Sequence, residues 1–120
     1  MLPEARAPLF DMLQACRRIT RFTKGKTFDD YDRDEMLRSA VERQLAIIGE
    51  VLGRLRRIAP EMAEGITDSR RILAFRNRLI HGYDVITNAV VWGIVKHNVP
   101  LLATEAEAIL VEDADTASPS

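Results

Sequence analysis

The sequence contains little of several residue types, and each shortage removes a class of protein. A single cysteine, Cys16, in 120 residues excludes a disulfide framework and a cysteine-rich zinc site. The charges of the 17 basic and 18 acidic residues nearly cancel. This excludes a strongly basic protein that coats nucleic acid and an acidic, disordered protein. No apolar run approaches the roughly 18 residues of a membrane span, and the first residues lack a signal peptide's apolar centre. We therefore expect one soluble, cytoplasmic domain with a reduced, buried Cys16.

Signals for β-structure are equally scarce. No stretch alternates apolar and polar residues for long, and no Asn-Gly or Asp-Gly pair marks a hairpin. Apolar residues instead recur every three or four positions, which predicts an all-α fold. The periodicity predicts four helices, at roughly 8–23, 32–58, 68–82 and 87–111, the last kinked or split by Pro100.

The segments between these helices are predicted to be irregular. Residues 27–32 form a connector in this reading, with Phe28 and Tyr31 filling the edge of the core, and residues 60–67 form a loop. Asp32 or Asp34 is expected to cap the second helix, and Asp68 or Ser69 the third. The helical domain then occupies residues 1–111, and residues 112–120 form a disordered acidic tail.

The second predicted helix is apolar over more than one face. One stripe is formed by Leu37, Val41, Leu45, Ile48, Leu52 and Leu55, and a second beside it by Ala40, Ile47, Val51 and Ile58. A helix with so wide an apolar surface is buried on more than one side, so we predict a two-fold dimer that buries Ile47, Val51 or their neighbours. Gly49 and Gly53, four residues apart, allow a neighbouring backbone to approach closely.

Polar groups that suit a phosphate or a nucleotide are concentrated in the third predicted helix. Within fourteen positions stand four arginines, an asparagine, a histidine and a tyrosine: Arg70, Arg71, Arg76, Arg78, Asn77, His81 and Tyr83. Asn77 and His81 are four apart and share a face, whereas Arg76 lies about 140° from His81 around the axis. Arg76 and His81 converge only if the helix ends at His81 or if two chains pair these helices. The alternative is an ordinary solvated helix end whose cations match the helix dipole.

The chemistry open to this cluster is metal-free. His81 has only Asp84 nearby as a further ligand, which does not make a metal site, and His97 is expected to be an exposed surface residue without a role. Cleavage of RNA by its own 2′-hydroxyl needs a proton acceptor, a proton donor and a cation on the phosphorane. Histidine titrates near neutrality and arginine binds phosphate as a planar, permanent cation, so the two residue types suffice.

Several segments together resemble a known family. The sequence RNRLIHGY at 76–83 resembles the RxxxxHxY motif of the HepT-like toxins, which belong to the HEPN superfamily of small all-α ribonucleases. FTKG at 22–25, RSAVERQLAIIGEV at 38–51, and Trp92 followed by VPLL at 99–102 are also similar to that family. The resemblance extends over roughly residues 9–110.

The resemblance implies an up-and-down bundle of four to five helices that forms a homodimer. Its cleft would bring together the catalytic Arg76 and His81 of both chains, with Asn77 and Arg78 binding or orienting the substrate. It further implies a metal-independent endoribonuclease without a cofactor, the toxin of a toxin–antitoxin pair. An MntA-type nucleotidyltransferase partner would silence it by transferring AMP to Tyr83. The alternative is a non-catalytic scaffold subunit of such a pair that binds RNA or nucleotide.

Overall fold

The computed structural model describes the backbone of residues 1–81 and 87–117 and the side chains of residues 1–79 and 87–114. No residue in these ranges belongs to a β-strand, so the all-α prediction is confirmed for them. The elements in chain order are α1 (Pro3–Thr23), α2 (Phe28–Arg33), α3 (Glu35–Ile58), α4 (Pro60–Glu64), α5 (Ser69–His81), α6 (Asn88–Gly93), a π-helical segment (Ile94–Asn98) and α7 (Val99–Ala117).

Side-chain caps determine where three of these helices begin. The Asp34 carboxylate accepts a hydrogen bond from the Leu37 amide at 3.0 Å, which confirms Asp34 as the cap of α3. The Thr87 hydroxyl accepts one from the Val90 amide at 3.3 Å, so α6 begins at Asn88 as the sequence indicated. α2 carries a reciprocal capping box between Thr27 and Asp30.

Two segments predicted to be irregular are helical, and these predictions were wrong. Residues 28–33 form α2 because the capping box at Thr27 satisfies the amides of its first turn. Pro60 begins α4 because its missing amide costs nothing at the first position of a helix. Tyr31 is fully buried as predicted, but Phe28, at the exposed start of α2, keeps 39% of its surface in solvent.

Both ends of the bundle extend beyond the predicted helices. α1 begins at Pro3 and contains Pro8, whereas the sequence suggested a start at residue 8. α7 continues to Ala117, so residues 112–117 are helical where a disordered tail was expected. A salt bridge of 2.7 Å between Arg6 and Asp113 joins these two ends, an interaction that local sequence patterns do not reveal.

The last predicted helix is split, as Pro100 suggested. The Val99 amide donates to the Ile94 carbonyl five residues earlier, which makes the turn between α6 and α7 π-helical. Pro100, the second residue of α7, has no amide to donate, and its ring would clash with the carbonyl four residues before it in a regular helix. The wider π turn immediately before α7 fits this constraint. His97, within the turn, is exposed as expected.

The core lies where α1 packs against α3 and α7, while α5 packs mainly against α3. The described residues measure 52 × 31 × 19 Å, and the shortest dimension is about two helix diameters. Cys16 is a free cysteine fully buried in α1, as predicted, and burial raises the pKa of its thiol to about 12. Because the domain is thin, one side of α5 faces outward.

Tyr31 is a polar residue in the core with an unpaired hydroxyl. Its ring stacks on Trp92, with 5.3 Å between the ring centroids, and is fully buried. Its hydroxyl has no hydrogen-bond partner in the part of the chain that the structure describes. Burial, together with the Glu42 carboxylate, raises the pKa of Tyr31 to about 12. The aromatic contact therefore stabilises the fold, and the hydroxyl does not.

We expect Tyr31→Phe to leave the free energy of unfolding at pH 7 unchanged or to raise it by about 1 kcal/mol, because it removes an unpaired buried hydroxyl and keeps the ring. Tyr31 ionises near pH 10 in the unfolded chain and near pH 12 in the folded chain. Between these pH values the unfolded chain loses its proton first, so the free energy of unfolding of the parent falls as pH rises. The variant should therefore lose less stability than the parent above pH 10. Urea denaturation of the parent and the variant at pH 7 and above pH 10 measures both effects. If Tyr31→Phe lowers the free energy of unfolding by more than about 2 kcal/mol at pH 7, the hydroxyl has a partner.

Candidate functional site

Two glycines of α3 form the surface against which α5 packs. A Cβ atom built on the buried Gly49 would overlap with Cβ and Cγ of Arg76. One turn later, a Cβ on Gly53 would lie 3.5 Å from Cδ2 of Leu73, an ordinary contact distance. The close approach predicted from the glycine spacing is therefore found, and it is much tighter at Gly49. The side chain that uses the space is the arginine of the predicted site.

Arg76 is half-buried, and one of its guanidinium nitrogens is unpaired in the part of the chain that the structure describes. Its Nε atom is buried without a hydrogen-bond partner among the described residues. None of the ion pairs within 1–79 and 87–114 involves it, whereas Arg56 and Arg70 both lie within 4 Å of the Glu64 carboxylate. Leaving a buried donor unpaired costs about 1–3 kcal/mol, and more for a charged group. Among the described residues, no acidic side chain pairs with this arginine, so it is suited to bind an anion from outside that part of the chain.

Asn77 and Arg78 do not converge on Arg76 within one chain. Asn77 and Arg78 are exposed, about 100° and 200° around α5 from Arg76. Arg78 lines a cavity of about 400 Å³ together with Arg71 and Phe75, which also lie on α5. Residues of α3, α6, the π-helical segment and α7 form the rest of its lining. His81 is the last residue of α5, but its side chain lies outside the described residues, as does all of Tyr83. Of the predicted site residues, the structure describes the side chains of Arg76, Asn77 and Arg78.

The second apolar stripe of α3 lies on the opposite side of the helix from Arg76. Ile47 and Val51 are half-buried and line a groove between α1 and α3 together with Phe10, which is 48% exposed. Each is two residues from Gly49, which places it about 160° away around the axis. Phe10 was missed by the sequence analysis because it stands beside the buried Leu9 and outside the periodic stripe of α1. The groove and the α5 contact are therefore separate surfaces.

Basic residues dominate the segment that contains the site. Residues 52–82 include seven arginines against Glu61, Glu64 and Asp68, a local net charge of +4 in a chain whose net charge is −1. Glu64 offsets part of this charge by contacting Arg56 at 3.7 Å and Arg70 at 3.3 Å. The remaining excess is spread around α3 and not gathered on one face, since Arg54 and Arg57 line the groove on the side of Ile47 and Val51.

The described part of the chain contains neither a candidate metal site nor a candidate membrane span. No group of three or more histidine, cysteine, aspartate or glutamate side chains there is arranged to hold a metal ion. No helix there is both long and apolar enough to cross a membrane.

Comparison with known proteins identifies the family. The family described as ribonuclease HepT-like matches residues 12–109, which include α3, α5 and the packing of Arg76 on Gly49. The chain belongs to the HepT-like ribonuclease family. The resemblance found in the motif at 76–83 is thereby confirmed, and so is membership of a ribonuclease family.

Individual relatives agree with this assignment. A Methanocaldococcus jannaschii protein named as a candidate RNase is 32% identical over 108 residues, which cover 88% of this chain and 96% of the relative. A Thermococcus cleftensis protein named probable ribonuclease HepT is 31% identical over 105 residues, which cover 84% and 91%. The chain is thus similar to these HepT-like proteins over nearly their whole length. No solved structure gives a significant match to it.

Proposed function

We propose that this chain is a metal-independent endoribonuclease in which Arg76 and His81 are the catalytic residues. The observation that carries the proposal is the placement of Arg76, whose aliphatic stem packs on Gly49 and whose buried Nε atom has no partner among the described residues. Arginine binds phosphate through paired N–H donors and keeps its charge at every physiological pH. Membership of the HepT-like ribonuclease family identifies RNA as the source of that phosphate.

The reaction uses the 2′-hydroxyl of the RNA as its nucleophile. The bond from O2′ to phosphorus forms while the bond from phosphorus to O5′ breaks; the O2′ proton passes to solvent water, and O5′ receives a proton from His81. Arg76 stabilises the added negative charge on the phosphorane, and His81 transfers a proton. As the last residue of α5, His81 lies at the negative end of the helix dipole, which favours its protonated form and the role of proton donor. Asn77 and Arg78 bind or orient the RNA.

A homodimer completes this site. In one chain Arg76 points toward α3, and Asn77 and Arg78 lie on other sides of α5. A second copy placed against the exposed side of α5 would supply its own Arg76 and His81 to a shared cleft. Two-fold symmetry would double the positive charge around that cleft and attract RNA by electrostatic steering. Ile47 and Val51, on the other side of α3, provide a separate surface on which copies can associate further.

We expect the protein to sediment at micromolar concentration as an assembly larger than the dimer formed through α5, because copies also associate through the surface of Ile47 and Val51. Val51→Glu should reduce the mass because it places a further charge beside the apolar side chains of Phe10 and Ile47. Met36→Glu, also on α3 but at a position that is 83% exposed, is the matched control and should leave the mass unchanged. A wild-type monomer, or a Val51→Glu protein of unchanged mass, would contradict burial of this groove between copies.

The activity is proposed to be that of a cytoplasmic toxin whose partner is a nucleotidyltransferase of the MntA type. In this proposal the partner transfers AMP to Tyr83, two residues after the catalytic histidine. The added phosphate would pair with Arg76 or Arg78, and the nucleoside would fill the space that RNA requires. Silencing would therefore combine charge neutralisation with competition for the site.

Arg76→Ala and His81→Ala should each abolish RNA cleavage and growth inhibition while the helical circular dichroism stays unchanged. Loss of the acid–base contribution alone is typically about 10²–10⁴-fold. Cleavage by the parent protein should continue in EDTA. Gel analysis of total RNA with the purified proteins measures both effects. Inhibition by EDTA with recovery on adding a divalent metal would contradict the metal-free mechanism. If the parent protein binds RNA without cutting it, the chain is a non-catalytic scaffold.

Coexpression with the proposed MntA-type nucleotidyltransferase partner should add one or more AMP groups to this chain, all on Tyr83. Tyr83→Phe should escape silencing and keep at least part of its cleavage activity, because the hydroxyl is needed for modification and not for cleavage. Intact-mass and peptide mass spectrometry locate the modification, and growth assays measure the silencing. A Tyr83→Phe protein that the partner still silences would show that inhibition acts by binding alone.

A further inference from the structure

We infer that Gly49 is the positioning residue for Arg76, so that the absence of a side chain at this point of α3 determines where the guanidinium lies. The catalytic part of this inference rests on the proposed function, and its structural part does not. Gly49 itself touches no substrate in this account. It acts through the contact between α3 and the stem of Arg76.

The contact at Gly49 involves atoms that cannot yield by a simple side-chain rotation. The first atom that a Cβ on Gly49 would meet is the Cβ of Arg76, which is fixed to the backbone of α5. Non-bonded carbons rest about 3.5–4.0 Å apart, so an alanine here would push α5 away from α3 by about an ångström or more. Cγ of Arg76 would be displaced as well. The whole catalytic helix is thus held at a distance that only glycine permits.

Among the described residues, no hydrogen bond to Nε of Arg76 compensates for a shift of this kind. The Nε atom of Arg76 is buried without a partner, and none of the ion pairs in the described part of the chain includes its guanidinium. Packing of its stem on α3 is therefore what orients the charged group. A displacement of about 1 Å in a catalytic site can lower the rate by about 10²-fold. Such a shift would affect the transition state more than the binding of a long RNA, which makes many other phosphate contacts.

Gly53 offers a matched control on the same helix. It lies one turn after Gly49, and its added Cβ would meet Leu73 at 3.5 Å and Arg57 at 3.9 Å, both ordinary contacts. Either glycine-to-alanine change removes the same helix-propensity penalty, about 1 kcal/mol. The two variants therefore differ in their contact with α5 and not in their intrinsic effect on α3.

The experiment compares the parent protein, Gly49→Ala and Gly53→Ala in two assays. In RNA cleavage, kcat of Gly49→Ala should fall about 10- to 100-fold per folded molecule with a smaller change in KM, while Gly53→Ala keeps parental values. In 15N NMR, the Nε–H signal of Arg76, identified by its loss in Arg76→Lys, should shift and exchange faster with solvent in Gly49→Ala only. A Gly49→Ala protein with the parental kcat and the parental Arg76 signal would overturn the inference while the proposed function stands.

The NMR measurement also separates the positioning of Arg76 by Gly49 from the proposed cleavage of RNA. If no protein cleaves RNA but the Arg76 signal moves in Gly49→Ala alone, the proposed function fails and the positioning of Arg76 stands. If Gly49→Ala does not fold, Gly49→Ala combined with Arg76→Gly decides the question, since the second change removes both overlapping atoms. Recovery of folding in the double variant supports the inference. Continued failure to fold, with Arg76→Gly alone folded, overturns it.

Discussion

The packing of α5 on α3 at Gly49 is the contact on which the site depends. Most of the core is built from α1, α3 and α7, and α5 packs mainly against α3. The position of α5 is therefore determined by the shape of α3, and at Gly49 that shape leaves room for Arg76. A glycine inside a helix costs about 1 kcal/mol relative to alanine. The fold bears this cost at the point where the arginine of the family motif must approach.

A second cost is found in the same place. The buried Nε of Arg76 lacks a partner among the described residues, which destabilises the isolated chain by about 1–3 kcal/mol. Stabilities of natural domains are only about 5–15 kcal/mol, so such a cost is appreciable. Arg70 shows the alternative, because it is exposed and contacts Glu64 at 3.3 Å. Unpaired polar groups of this kind are typical of sites that trade stability for function.

The sequence predicted the parts of the fold that follow from local patterns. Apolar spacing located α1, α3 and α5, Asp34 and Thr87 marked helix starts, and Pro100 marked the break before α7. The short α2 and α4 were missed because five or six residues contain too few turns to show periodicity, and only the capping box at Thr27 could have revealed α2. The helical end of α7 was missed as well, since its salt bridge to Arg6 joins residues that are distant in the chain.

For the site, the sequence identified the residues but not their arrangement. Arg76 could be named from the motif, and the glycine spacing of α3 indicated a close approach. That Gly49 receives Arg76, and that Nε is left unpaired, depends on how α3 and α5 cross, which no local pattern encodes. The exposed Phe10 of the α1–α3 groove was equally hidden, because its surroundings come from another helix. The roles of His81 and Tyr83 remain predictions, as their side chains lie outside the described residues.

The central claim is that an arginine and a histidine cleave RNA by its own 2′-hydroxyl, and the chemistry of the product ends tests it most directly. Attack by O2′ leaves a 2′,3′-cyclic phosphate on one fragment and a 5′-hydroxyl on the other, whereas attack by water activated at a metal commonly leaves a 3′-hydroxyl and a 5′-phosphate. Mass spectrometry of a defined oligoribonucleotide cleaved in EDTA distinguishes these products. The account predicts cyclic phosphate and 5′-hydroxyl ends. Fragments with 3′-hydroxyl and 5′-phosphate ends would contradict it.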